Sequence, residues 1–295
     1  SEGGFLTEIG QYALSLSGIS SVVIPASVVT IGDYAFSRCT KLTSVTFAAD
    51  GALEIINSGV FQYTGVNSVV IPANVTRIGN TAFAYSSLKS VTFAEGSVCS
   101  SIGYAAFRDS LIESIAIPAS VENIGEDIPA AGGPLHGYAF DGCRNLKSLT
   151  FDTGSKLKNI YNYAFRNTAL TKFSFPSSEN EITVAKQLFF GCSELTEIYI
   201  SESVKSNLDK ALAGMPSLEK LEIAATNDSY KVDSELPLVS NQSGDSIFYF
   251  FTALDGKNAE LVIPEGTYYI GDNAFKNQVD LTKVTIPSSV LEIGE

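Results

Sequence analysis

Residues whose types could do chemistry are few in this chain, and they are scattered. His136 is the only histidine among 295 residues, and the four cysteines are Cys39, Cys99, Cys143 and Cys192. Metal or redox chemistry would need the cysteines together, and a histidine dyad would need a nucleophile or base beside it. His136 instead lies in a stretch rich in Ala, Gly and Pro with no such neighbour. A carboxylate pair such as Glu197 and Glu222 has the right groups for glycoside hydrolysis. That chemistry also needs a concave pocket to raise one carboxyl pKa, and both residues fall in segments that read as open strands. Asn74-Val75-Thr76 and Asn227-Asp228-Ser229 match the glycosylation pattern, a triplet that arises often by chance. The sequence therefore predicts no catalytic residues, no cofactor and no metal site, and so no enzyme.

What positions these residues is a repeat. Ile31-Gly32-Asp33-Tyr34-Ala35-Phe36 returns as Ile78-Gly79-Asn80-Thr81-Ala82-Phe83, as Ile102-Gly103-Tyr104-Ala105-Ala106-Phe107 and as Ile270-Gly271-Asp272-Asn273-Ala274-Phe275. Looser copies end at Leu14, Phe61, Phe165, Phe189 and Leu212. The steps are 22 (14 to 36), 25 (36 to 61), 22 (61 to 83), 24 (83 to 107), 25 (140 to 165), 24 (165 to 189) and 23 (189 to 212). A fixed period in this range marks a solenoid, whose units bury their apolar faces only against their neighbours. Each unit also carries an alternating segment, such as Leu42-Thr43-Ser44-Val45-Thr46-Phe47 or Leu146-Lys147-Ser148-Leu149-Thr150-Phe151. Apolar residues two apart with a small polar residue between them are the mark of a strand with one face in and one out.

Eleven such segments run from Val22-Val23-Ile24 to Val284-Thr285-Ile286. Stacked in parallel at about 4.8 Å per coil, they predict one sheet roughly 48 Å across, in a right-handed solenoid. Many of these strands stop at proline, as at Ile24-Pro25, Ile71-Pro72 and Ile117-Pro118, where an absent N–H ends the pairing. A second apolar pair follows (Val28 and Ile31, Val75 and Ile78). Then comes a Gly suited to a tight backbone turn, and a short helix or 3₁₀ turn that carries Ala and Phe inward. Phe36, Phe61, Phe83, Phe107, Phe140, Phe165, Phe189 and Phe275 should form an offset aromatic column. Ile-Pro units at residues 24, 71 and 117 alternate with longer Phe units at residues 47, 93 and 151, which suggests a double unit of about 46 residues (71 − 24 = 47, 117 − 71 = 46).

Two interruptions stand out. Residues 126–136 read as a surface loop insert. Residues 225–266 leave the repeat for what looks like a β-hairpin, Tyr230-Lys231-Val232-Asp233 and Ile247-Phe248-Tyr249-Phe250-Phe251 about the turn-forming Asn241-Gln242-Ser243-Gly244-Asp245, before rejoining the sheet at Leu261-Val262-Ile263. Unbroken repeats favour one domain over residues 1–295, in spite of a length prior of about two. The chain stops in mid-repeat at Ile293-Gly294-Glu295, so an excised piece of a longer protein is expected. With 19 basic against 32 acidic residues the net charge is −13, and the basic residues are dispersed singly. Nucleic acid is thus disfavoured as a partner, and the acidity serves solubility. No apolar run approaches the roughly 18 residues of a membrane span.

The phrases Ile-Pro-Ala-Ser-Val (24–28 and 117–121), Ile-Gly-Asp-Tyr-Ala-Phe (31–36) and Leu-Thr-Ser-Val-Thr-Phe (42–47) resemble the BspA-like, Treponema-type leucine-rich repeat proteins over essentially the whole chain. The resemblance implies a leucine-rich repeat solenoid, an α/β-type horseshoe with a parallel sheet on one face and short helical or 3₁₀ turns on the other. It also implies an extra-strand unit ahead of Ile263-Pro264-Glu265-Gly266. For function it implies a bacterial secreted or surface-attached protein, with adhesion to a protein or glycan partner such as host extracellular matrix or another cell surface. A passive spacer presenting another domain is the alternative. The family has no catalytic residue set to carry over. Asn207-Leu208-Asp209-Lys210-Ala211-Leu212 departs from the pattern, with Asn and Leu where Ile and Phe are usual.

Exposed strand positions point to where a partner would bind. One outward column reads Ser21, Ser44, Ser68, Ser90, Ser114 and Ser148, then Lys172, Glu197, Lys220 and Lys283. Its neighbour reads Val23, Thr46, Val70, Thr92, Ala116, Thr150 and Ser174, then Tyr199, Glu222 and Thr285. Binding energy concentrates in aromatic and charged anchors, with serine under-represented. The expected ligand contacts are therefore Lys172, Glu197, Tyr199, Lys220 and Glu222. Cys39, Cys143 and Cys192 all fall three residues after a column Phe, a slot that reads as small, apolar and buried. At four coils (roughly 19 Å) and two coils (roughly 10 Å) apart, they exceed the Cα separation of about 7 Å that a disulfide tolerates. Four free thiols, at least three of them buried, are predicted.

Overall fold

The computed structural model describes residues 5–126, 137–212, 215, 218–232, 238–244, 246–250, 259–271, 274–275 and 281–294. His136 and the insert beyond Glu126 lie outside these. All eleven long strands form, from Ser21–Ile24 and Ser44–Phe47 to Ala259–Val262 and Leu281–Thr285. Their alternation is as read: Ser68–Ile71 shows exposed, buried, exposed, buried in order. Parallel pairing sets Ser21 beside Ser44, Ser68 beside Ser90, Lys172 beside Glu197 and Glu197 beside Lys220. The strands do not join into one continuous sheet. Their ladder divides into pieces of two, four, three and two strands.

The second apolar pair of each coil is itself a strand. Seven segments from Ile55–Ile56 through Arg77–Ile78, Ser101–Ile102, Asn123–Ile124 and Asn159–Ile160 to Ile182–Val184 and Val204–Ser206 make a parallel sheet behind the first. Glycine at residues 32, 79 and 103 serves close approach rather than a left-handed turn, while Gly125, before the insert, has a φ of 86°. A Cβ on Gly79 would come within 2.8 Å of the Ile56 carbonyl oxygen, in the coil before it. The Gly79 amide donates to that same oxygen at 2.7 Å, and where Asn57 fills the slot its Nδ2 donates to the Ile31 oxygen instead.

The expected helical or 3₁₀ segment gives way to a third hydrogen-bonded ladder. Residues two before and two after a column Phe adopt positive φ: Tyr34 (58°) and Arg38 (60°) about Phe36, Thr81 (53°) and Tyr85 (57°) about Phe83. Alternate amides then point to the next coil, with Tyr34 donating to the Ser58 oxygen at 2.8 Å, Phe36 to Val60 at 3.0 Å and Arg38 to Gln62 at 2.8 Å. Size explains the difference. A helix is about 10–12 Å wide with its side chains, whereas a coil advances only about 4.8 Å. A left-handed non-glycine residue costs roughly 1–2 kcal/mol, offset by the inter-coil bonds at about 0.5–1.5 kcal/mol each. Leu208–Leu212, in the coil that departs from the repeat pattern, is the one helix among the described residues.

Seven phenylalanines stack between these ladders: successive ring centroids from Phe36 to Phe189 lie 5.3 to 5.8 Å apart with planes within 17°. Phe275, expected in the column, packs half-buried against a smaller cluster of Leu238, Ile247, Leu261, Ile263, Ile270 and Ala274. The embellishment before it has a strand more than the predicted hairpin. Tyr230–Val232, Leu238–Asn241 and Ser246–Phe250 run antiparallel in turn, and the last pairs in parallel with Tyr269–Ile270. Leu261 and Val262 pair beside Val284 and Thr285 in a two-stranded parallel ladder of their own, rather than rejoining the ladder that ends at Lys220–Ile223.

Candidate functional site

Parallel register brings the five predicted contacts together. Lys172, Glu197 and Lys220 form one cross-strand row, and Tyr199 and Glu222 stand side by side in the next. The charges largely satisfy one another. Lys172 Nζ lies 2.8 Å from Glu197 Oε1, and Lys220 Nζ lies 2.7 Å from Glu222 Oε1. The hydrogen bond from Lys172 holds the Glu197 carboxyl below its usual pKa, and that to Glu222 raises Lys220. These groups are solvent-exposed, so the pairs are weak and screened by salt. A lowered Glu197 is the opposite of the raised carboxyl a general acid requires.

Tyr199 is 36% exposed and stands in the walls of two grooves. The first, about 500 Å³, lies toward Lys147, Thr150, Lys172, Ser174 and Pro176. The second, about 640 Å³, opens toward Glu222, Asn227, Tyr230, Lys231 and Gln242 where the repeat gives way to the antiparallel strands. An aromatic ridge between two clefts can anchor a ligand that reaches into either. The serine columns of the earlier coils also border a groove, of about 600 Å³ beside Ser44, Ser68, Val70 and Pro72, but among the described residues no aromatic side chain stands on the strand face between two clefts there.

The turn face holds a cluster that the sequence reading missed. Tyr63 stacks on Tyr85 at 4.7 Å and Tyr138 on Tyr163 at 5.1 Å. The guanidinium of Arg38 lies 4.8 Å from the centre of the Tyr63 ring, and that of Arg166 lies 5.0 Å from Tyr138. Arg166 also grips Asp141 through two bonds, Nε to Oδ1 at 2.7 Å and Nη2 to Oδ2 at 2.8 Å. Arg108 Nε stands 3.3 Å from Asp141 Oδ2 without a well-formed hydrogen bond. Arg108 precedes the 126–136 insert and Asp141 follows it, while the strong Asp141–Arg166 pair clasps the turn after the insert to the turn of the next coil. One signal was available: Arg108, Asp141 and Arg166 each follow a column Phe directly.

All four cysteines are buried, but their slot is polar rather than apolar. Cys39, Cys143 and Cys192 donate to the oxygens of Leu14, Phe107 and Phe165 in the preceding coil at 2.9, 3.0 and 3.0 Å. Thr64 and Ser86 in the same slot donate to Phe61 and Phe83 of their own coil. Ser, Thr and Cys in this slot can all give a hydrogen bond to a turn carbonyl, whereas Met215, buried in the same slot after Leu212, cannot. Burial pushes the Cys99 thiol up to about 11 and Cys143 up to about 12. Among the described residues no group of His, Cys, Asp and Glu is placed to hold a metal. Neither sequon asparagine is free, since Asn74 Nδ2 donates to Gly51 and Leu53 oxygens and Asn227 Nδ2 to Ser201 and Val204.

Coils of this kind define a leucine-rich repeat solenoid. The family model described as BspA type leucine rich repeat region (6 copies) matches residues 7–131, 127–234 and 241–295, and the chain belongs to that family. Two solved structures share the fold. A leucine-rich repeat protein from Bacteroides ovatus is 18% identical with a TM-score of 0.55, over 98% of this chain and 78% of its own. The pneumococcal vaccine antigen PcpA is 21% identical with a TM-score of 0.53, over 92% of this chain. The chain spans 61% of the length of the PcpA structure. A comparison with curated proteins gives no match. No helix among the described residues is long and apolar enough to cross a membrane.

Proposed function

We propose that residues 1–295 act as a single, non-enzymatic binding domain of a bacterial surface or secreted protein, recognising a protein or glycan through the sheet face at Tyr199. The observation that carries this reading is the place of Tyr199 between the two grooves of about 500 and 640 Å³, with two lysine–glutamate pairs beside it. Exposed pairs of that kind open at little cost, so either partner is available to a ligand charge. Similarity in fold to a vaccine antigen supports display at the cell surface. The test is a screen of the chain against extracellular matrix proteins and glycans, repeated with Tyr199→Ala combined with Lys220→Glu. Abolished binding with thermal stability unchanged supports the site, and undiminished binding refutes it.

Mutual neutralisation of Lys172 with Glu197 and of Lys220 with Glu222 favours a second reading, in which the solenoid is a passive spacer presenting another domain. A wild-type chain that binds nothing in the same screen would support the spacer.

A further inference from the structure

The long strands are paired unequally, and the inequality follows coil type. Strands that end at Ile-Pro pair along all four residues with the Phe-ending strand of the next coil: Ser21–Ile24 with Ser44–Phe47, Ser68–Ile71 with Ser90–Phe93, Ser114–Ile117 with Ser148–Phe151. In the opposite step the ladder fails. No ladder joins Ser44–Phe47 to Ser68–Ile71 or Ser148–Phe151 to Lys172–Ser174, and the step from Ser90–Phe93 to Ser114–Ile117 keeps one partner pair, Ser90 with Ser114.

Proline marks the weak steps where the coil before ends in Phe; where the coil before ends in Ile-Pro, the ladder from Ala259–Val262 to Leu281–Thr285 forms although Pro287 follows Ile286. In the three well-paired steps named above the residue after the strand donates its N–H to the last strand carbonyl of the coil before, with Ala48 to Ile24 at 3.0 Å, Ala94 to Ile71 at 2.9 Å and Asp152 to Ile117 at 2.9 Å. In the weak steps that position is Pro72, Pro118 or Pro176, which has no N–H to give. The layers behind are unbroken at the same places. Ile55–Ile56 pairs with Arg77–Ile78, and Asn159–Ile160 with Thr183 and Val184. Phe61 stacks on Phe83 at 5.3 Å and Phe165 on Phe189 at 5.8 Å. Two sheet-face grooves fall on the two steps without a ladder. One holds Val70 and Pro72, the other Lys172 and Pro176.

We infer that the solenoid is a row of rigid blocks of two or three coils, hinged at the steps where a Phe-ending strand meets one that runs into proline, with the second sheet and the Phe column as the pivot. Bending there widens or narrows the sheet-face grooves. One of these is walled by Tyr199, so the hinge sets the gap of the proposed binding site, but the hinge itself does not depend on that proposal. Element openings of this kind are read by hydrogen exchange.

The experiment is amide exchange by NMR on the intact chain. Within strands 68–71 and 172–174, amides directed to the preceding coil should exchange about tenfold or more faster than their equivalents in 44–48, 90–94 and 148–152. Pro72→Ala restores the missing donor and should slow exchange in 68–71 by about tenfold while leaving 90–94 unchanged. Equal protection across alternate steps in the wild-type chain would overturn the hinge. So would a folded Pro72→Ala variant with unchanged exchange in 68–71. Should that variant fail to fold, the wild-type comparison decides alone, and Pro176→Ala repeats the test at the second step.

Discussion

Replacing Asp141 by asparagine tests whether the turn-face cluster is a clasp. The side chain of Asp141 is 2% exposed, and it receives two charge-assisted bonds from Arg166 at 2.7 and 2.8 Å. Removing one partner of a buried pair costs about 3–5 kcal/mol, because the other charge is left without compensation. Arg166 keeps 26% of its side-chain surface in water and can rehydrate in part, which places the expected loss near the lower end, about 3 kcal/mol. Arg108 contributes less, since at 3.3 Å its Nε forms no proper hydrogen bond. A double-mutant cycle in urea unfolding should give a coupling of about 2 kcal/mol for Asp141 with Arg166, and under about 1 kcal/mol for Asp141 with Arg108. Exchange protection should fall first in the turns that carry Asp141 and Arg166. A loss below about 1 kcal/mol for Asp141→Asn would show the pair to be an ordinary surface contact, and the cluster would lose its structural role.

Phe83→Ala removes a fully buried ring stacked on both sides, and should cost about 3–5 kcal/mol in urea unfolding; Phe83→Leu should recover much of it. Folding raises the pKa of Cys99 to about 11 and of Cys143 to about 12 from an ordinary 9.0. A raised thiol favours the folded chain below pH 9, and that contribution is lost as pH climbs through 11 and 12. Unfolding midpoints should therefore decline over this window, less steeply in Cys143→Ala when each variant is referenced to its own value at pH 8. Native-state thiol titration at pH 8 should detect none of the four cysteines, and all four after denaturation. Leu16 sits at φ 63° with 73% of its surface exposed. Leu16→Gly should raise stability by about 0.5 kcal/mol, the relief of the left-handed cost less the added unfolded-state entropy. A fall in melting temperature would contradict it.

Strands were legible because alternation is a local signal. Ser44-Val45-Thr46-Phe47 carries its inward and outward faces in four letters, and copies of it agree along the chain. The second sheet was not legible, since its strands are two or three residues long, too short for any period to show. Nor was the left-handed ladder, because Tyr34, Thr81 and Tyr163 are residues that ordinarily avoid positive φ; neighbouring coils impose that conformation through hydrogen bonds invisible in a single unit. The double unit did show in the spacing, as 47 and 46 residues between Ile-Pro phrases. Its physical meaning needed the register, which ties the loose steps to proline.

The candidate site was legible as a set of columns but not as a shape. Counting strands placed Lys172, Glu197 and Lys220 in a row and Tyr199 beside Glu222, and the pairing agrees. Opposite charges on adjacent coils already allowed simple cross-strand pairing as an alternative to binding, and the structure pairs Lys172 with Glu197 and Lys220 with Glu222, which turns four apparent charges into two weak pairs. Sequence could not show that the ladder would break one coil before the partner of Tyr199, between Ser148–Phe151 and Lys172–Ser174, and that the repeat would give way after Lys220–Ile223, each leaving a groove. Those two discontinuities make Tyr199 a better candidate than its charged neighbours. The charges are common to any solvated sheet, whereas a ring standing between two clefts requires that regular stacking fail within two coils on both sides of it.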